Sequence, residues 1–225
     1  MKKIAILILL SAVIILNAAS AANAISMTAT LTGDNHYALY VGTGTSITNF
    51  IGRNELGSIG YPEGTYNWSK PETWSFDIAA GAYIYVVGWS DDSVAQGWIG
   101  QFVSSAGTVL SNKSSWEVFL TFSDLDDAGL APTEEVLTSR ISAAKWNPVV
   151  DSIDNGGGPW GPISAISAEA DWIWGSSLQP GSDFGEYQIF RTQVNPVPEP
   201  ATMLLLGTGL IGLAGFGRRK LLKKS

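Results

Sequence analysis

Thr73-Trp74-Ser75-Phe76-Asp77-Ile78 sets a large apolar side chain at every second position, with Thr73, Ser75 and Asp77 between them. Period two belongs to a strand with one buried and one wet face, because successive β side chains point to opposite sides. Trp116, Val118, Leu120 and Phe122 repeat the rhythm against Glu117 and Thr121. Outward from these two, residues 27–31, 37–41, 82–89, 98–104, 168–174 and 186–194 read as strands, about eight in all. Turn-rich stretches such as Gly42-Thr43-Gly44-Thr45 and Asn155-Gly156-Gly157-Gly158-Pro159 separate them. That spacing predicts an all-β sandwich rather than βαβ units. Only residues 133–145 read as a helix, with Thr133 as cap and Glu134 and Glu135 in the first turn.

The ends read differently. Lys2 and Lys3 precede an apolar run thirteen residues long, 4–16, broken only by Ser11, and Ala22-Asn23-Ala24 supplies small residues at a cleavage position. This is the pattern of a secretory signal peptide over residues 1–24, cut after Ala24 or, alternatively, after Ala21. Its apolar run reaches only about 20 Å as a helix, too short for a permanent anchor. At the other end stand Val197, Pro198, Glu199 and Pro200, then an apolar stretch at 201–217, then Arg218, Arg219, Lys220, Lys223 and Lys224. Seventeen residues is the lower limit for a transmembrane helix, and its glycines are tolerated in lipid. The basic cluster stays on the cytoplasmic side, so the domain of residues 25–195 lies outside. From physics alone, residues 196–225 read as an ordinary C-terminal anchor whose prolines stop regular structure before the bilayer.

Residues 25–195 hold six basic against nineteen acidic residues, a net charge of −13. Such a domain repels nucleic acid and anionic lipid, and its loops attract cations. With no cysteine anywhere, disulfides, thiol chemistry and a lipoprotein anchor are excluded. Asp91-Asp92, Glu134-Glu135 and the group Asp124, Asp126 and Asp127 all fall in or beside turns, where carboxylates are commonly solvated or capping. Asp124, Asp126 and Asp127 are the candidate calcium ligands, set against a plain solvated turn. The single histidine, His36, has no second histidine or cysteine for a transition-metal site, and no phosphate-binding glycine loop occurs. Without a nucleophile–base pair the expectation is no enzyme, a glycosidase dyad being the remote alternative. Nine tryptophans exceed what a core this size needs. Trp68, Trp146 and Trp160, on loops, are the candidates for stacking on sugar rings, with a packing lid as the other reading.

Two resemblances extend this reading. Val-Pro-Glu-Pro, a short glycine-rich span and Arg-Arg-Lys at the C-terminal end resemble the PEP-CTERM sorting signal of Gram-negative, exopolysaccharide-making bacteria. The resemblance implies export through the inner membrane, transient anchoring by the C-terminal helix, and cutting at the tripeptide by an exosortase, a membrane cysteine transpeptidase. The protein then ends at the cell surface or outside the cell, with the envelope or exopolysaccharide as partner and no nucleic acid. Thr32-Gly33-Asp34-Asn35-His36-Tyr37-Ala38-Leu39-Tyr40-Val41, Trp68, Trp74-Ser75-Phe76-Asp77-Ile78 and Gly81-Ala82-Tyr83-Ile84-Tyr85-Val86-Val87 are similar to the first half of a galactose-binding-like jelly roll. Asp126-Asp127-Ala128-Gly129-Leu130-Ala131-Pro132, Ala170-Asp171-Trp172-Ile173-Trp174 and Tyr187-Gln188-Ile189-Phe190-Arg191 are similar to its ending. Val41 stands where that family has Asn and Leu130 where it has Trp. Together the resemblances imply a non-enzymatic surface or matrix protein, with a lectin-like carbohydrate-binding module as the alternative.

Overall fold

The computed structural model describes residues 24–54, 67–90, 95–125, 130–178, 186–194 and 208–209, with Asp124 described by its backbone only. The chain divides into two units, Met1–Asn195 and Pro196–Ser225. The described residues of the first form twelve strands and one helix: β1 Ala24–Asp34, β2 His36–Gly42, β3 Ile47–Arg53, β4 Glu72–Ala79, β5 Tyr83–Trp89, β6 Gly97–Ser104, β7 Gly107–Leu110, β8 Glu117–Asp124, α1 Glu134–Ser142, β9 Asn147–Pro148, β10 Asp151–Asp154, β11 Asp171–Trp174 and β12 Glu186–Gln193. The strands make two antiparallel sheets. The first runs β10-β11-β6-β1-β4, with β7 also on β6, and the second runs β3-β2-β5-β12-β8-β9.

β4 has the alternation its sequence predicts. Trp74, Phe76 and Ile78 turn toward the interior while Thr73, Ser75 and Asp77 are exposed or bonded outward. Register sets Trp74 beside Ala29 and Phe76 beside Met27 of β1, and Thr30 and Thr73 share a cross-strand hydrogen bond of 3.1 Å. Inward residues of both sheets make one core: Met27, Leu31, Trp98 and Trp172 from the first meet Leu39, Val86, Val118 and Phe190 from the second. Trp98 sits edge-on to Trp116 at 4.8 Å and to Phe190 at 5.5 Å, the arrangement ring quadrupoles favour. Trp174 packs so closely on Gly88 that a Cβ there would lie 2.7 Å from the ring, so glycine is required at that point of β5.

A second cluster covers the outer face of the second sheet, where Leu137 and Ile141 of α1 pack on Tyr40, Tyr85, Val87 and Ile189. Buried on both faces, β2 has no alternation. α1 starts where the sequence predicts: Thr133 accepts from the Val136 N–H at 3.3 Å, with Glu134 and Glu135 in the first turn. It also closes an open edge. The Phe50 and Ile47 N–H groups of β3 donate to Glu134 Oε1 at 2.7 Å and to Thr138 Oγ1 at 3.0 Å, which removes a template for strand pairing.

Two expectations change. Phe122 does not continue the inward row of β8; it is 76% exposed at φ +52, and Thr121 is buried instead, donating to the Tyr187 carbonyl at 2.6 Å. The cause is a bulge: the ladder pairs Leu120 with Gln188 and Asp124 with Glu186, leaving Thr121–Ser123 opposite Tyr187 alone, so Phe122 falls in the unpaired stretch and leaves the inward row. β11 is shorter than residues 168–174 because residues 155–170 are gathered around Asn155. Its Nδ2 donates to the carbonyls of Ile163, Ile166 and Ser167 at 3.1–3.2 Å, and its Oδ1 accepts from the Ile163 N–H at 2.8 Å. Among the described residues no helix is long and apolar enough to cross a membrane. The predicted signal peptide (but for Ala24), the Val197–Pro200 motif, the basic cluster and all of the 201–217 span except Thr208 and Gly209 lie outside the described residues.

Candidate functional site

Arg191 of β12 stands directly opposite Tyr85 of β5 on one side and Glu117 of β8 on the other. The three form a row across the outer face of the second sheet. Arg191 donates from Nε and Nη2 to Glu117 Oε2, both at 2.8 Å, and its guanidinium lies 3.9 Å from the Trp146 ring centre and 5.0 Å from that of Tyr83. Trp146, in the turn that leads from α1 to β9, also meets Tyr85 and Phe119, each at 6.2 Å between centres. Burial pushes the Tyr85 hydroxyl up to about 12, the Arg191 charge opposing, and that hydroxyl donates to the Thr43 carbonyl. One face of the predicted sugar-stacking Trp146 is therefore taken by a cation.

The ring of Trp160, read from sequence either as a sugar-stacking candidate or as a packing lid, is packed away. It is 3% exposed, stacked on Trp172 at 4.2 Å and 15°, with Nε1–H donating to Asp34 Oδ2 at 2.6 Å. Loop and strand meet because the carboxylate needs a donor and both indoles bury large apolar faces. Trp68 is half-buried against the interior core, so Trp68 and Trp146 keep part of their surface in water. Of the candidate calcium ligands, Asp124 lies at the end of β8, and its side chain, with Asp126 and Asp127, lies outside the described residues. Among the described residues no three His, Cys, Asp or Glu side chains converge as a metal site. Glu134, one of the weighed carboxylates, holds the β3 edge instead.

Other polar groups are placed where sequence reading does not look. Trp74 Nε1–H donates to the Tyr37 hydroxyl at 2.8 Å, which donates to buried Glu72 Oε2 at 3.0 Å. Asp154 and Asp171 face each other across β10 and β11; burial first, then the Asp154 charge, raises the Asp171 carboxyl. His36, the first residue of β2, is 1% exposed and stacked on Trp89 at 5.0 Å and 14°. Burial, and then the charge of nearby Arg53, lower its imidazole to about 3, so it is neutral at any physiological pH. Arg53 escapes sequence reading, since nothing local distinguishes a buried arginine at a strand end from a solvated one.

The fold and the end of the chain together define a class: an all-β sandwich domain followed by a proline-led, apolar and then basic segment. Residues 196–220 match the PEP-CTERM protein-sorting motif. That match supports an exported surface protein processed by an exosortase. No curated protein and no solved structure matches the chain. The likeness of the sandwich to galactose-binding-like domains thus rests on its sequence patches.

Proposed function

We propose that this chain is a non-enzymatic matrix protein of a Gram-negative cell, carried through the inner membrane, held by its tail, and shortened by an exosortase. Its sandwich serves as a structural or adhesive module associated with exopolysaccharide. The observation that carries this reading is the sorting motif at residues 196–220. A jelly-roll, galactose-binding-like topology is supported by a chain that passes repeatedly from one sheet to the other. The lectin-like alternative draws on Trp68 and Trp146, which keep some exposed surface. Calcium at Asp124, Asp126 and Asp127 belongs to the same reading, and a melting midpoint equal in excess calcium and excess chelator removes it. The test of the whole is the mass of the protein recovered from a host with its own exosortase. Loss of the signal peptide and of the segment after the tripeptide is expected; a full-length chain in the membrane overturns the proposal.

A further inference from the structure

Arg53 closes β3 and is 7% exposed. Among the described residues its guanidinium has no hydrogen-bond acceptor and no carboxylate partner, and its Nε is buried with nothing to donate to. Its described neighbours do not answer the charge. The Trp89 ring centre lies 5.7 Å from its central carbon, and the imidazole stacked on that ring is neutral. Asn54, next in the chain, spends its side chain on the Tyr37 N–H and the Asn35 carbonyl. Glu134, which like Arg53 acts on Tyr40, is bonded to the Phe50 N–H.

A buried charge without a partner is strongly destabilising, and a sequence that needed only volume here has Met or Leu available. A guanidinium presents a planar fork of donors that matches a carboxylate in two parallel bonds, and it stays charged at every pH a protein meets. We propose that Arg53 is an anion site that takes a carboxylate from outside the sandwich, supplied by a uronic-acid unit of an acidic polysaccharide. The site itself stands on a guanidinium unpaired among the described residues, while the choice of source rests on the exopolysaccharide reading above. Residues 25–195 carry a net −13, so no general basic field explains the attraction. Recognition is local to one side chain.

The experiment is thermal unfolding of the full chain in detergent micelles, in sodium glucuronate, sodium acetate, glucose, or sodium chloride at matched ionic strength. The wild type is expected to gain about 2–4 °C in glucuronate over chloride, and nothing in glucose. Arg53→Met, which keeps the length and removes the charge, should lose that response while melting at or above the wild type in chloride. Arg53→Lys should keep a reduced response, since it offers charge without the fork. A wild type indifferent to glucuronate, or an Arg53→Met that still responds, overturns the site. A wild type that ignores every anion while Arg53→Met and Asp91→Asn or Asp92→Asn all lower the midpoint assigns the charge to the chain's own acids, and also overturns it. Acetate acting as strongly as glucuronate keeps the carboxylate site and overturns the sugar source. Because processing by the exosortase is read from mass alone, its failure leaves this result standing.

Discussion

Arg191 and Trp146 are stacked, the guanidinium 3.9 Å from the ring centre, while the same guanidinium binds Glu117 across the β8–β12 ladder. Arg191 is 14% exposed and Glu117 53%, so the ion pair is discounted for solvent and the stack carries more of the interaction. Arg191→Ala is expected to cost about 1–3 kcal/mol, through the lost cation–π contact, stem packing and ion pair. Glu117→Gln should cost less than about 1 kcal/mol. Urea unfolding of both, with Trp146→Leu and the double variant to complete a cycle, reads the coupling. If Arg191→Ala costs the same with and without Trp146→Leu, the stack is rejected as a stabilising contact.

Trp160 and Asp34 are 126 residues apart in sequence and 2.6 Å apart in space. Trp160→Phe keeps a ring over Trp172 but takes the indole donor from a carboxylate, and a loss of about 1–3 kcal/mol is expected. Asp34→Asn retains an acceptor and should cost less. If Trp160→Phe is neutral in urea midpoint, the loop of residues 155–170 is held by Asn155 and apolar burial alone.

These two contacts mark the limit of what sequence order reveals. The inward row of β4 is legible because alternation is local and one face of that strand meets water. Phe122 misleads because the bulge opposite Tyr187 depends on which strand pairs with β8, and no window of sequence contains that partner. α1 is legible from Thr133 and its acidic first turn, yet where it lands is not, and so β2 being buried on both sides is not. Trp160 reads as a loop residue because its loop is irregular; its burial is decided by Trp172 and Asp34. Arg53 carries no local signal at all. The sorting segment is the opposite case, since its recognition elements are contiguous and need no fold to bring them together.

His36 gives a pH prediction. Its folded pKa of about 3 lies below the unfolded value of 6.5, so between these pH values the unfolded chain binds the extra proton. Stability is complete above 6.5 and falls on acidification by up to about 1.4 kcal/mol per pH unit until the folded value is reached. His36→Phe keeps a ring against Trp89 and removes the proton. From pH 7 to 4.5 the wild type should lose about 2–3 kcal/mol more than this variant, carboxylates elsewhere being common to both. Parallel stability profiles would show that His36 charges freely in the folded protein.

The sorting segment separates two readings of the same residues. An ordinary anchor depends on the apolar stretch at 201–217 and the basic residues after it, so Glu199→Gln is invisible to it. A transpeptidase must read the tripeptide itself, and a charged contact desolvated in an enzyme cleft is worth about 2–5 kcal/mol when one partner is truncated. Glu199→Gln, expressed in a host with its exosortase, is therefore expected to leave full-length protein in the membrane while wild type is shortened. Deleting residues 218–224 should act earlier, because nothing then holds the apolar stretch against translocation and the chain escapes before it is cut. The two variants fail at different steps, one retained and uncut, the other released and uncut. Membrane fractionation followed by intact mass distinguishes them, and a wild type that is retained at full length alongside Glu199→Gln leaves only the plain anchor.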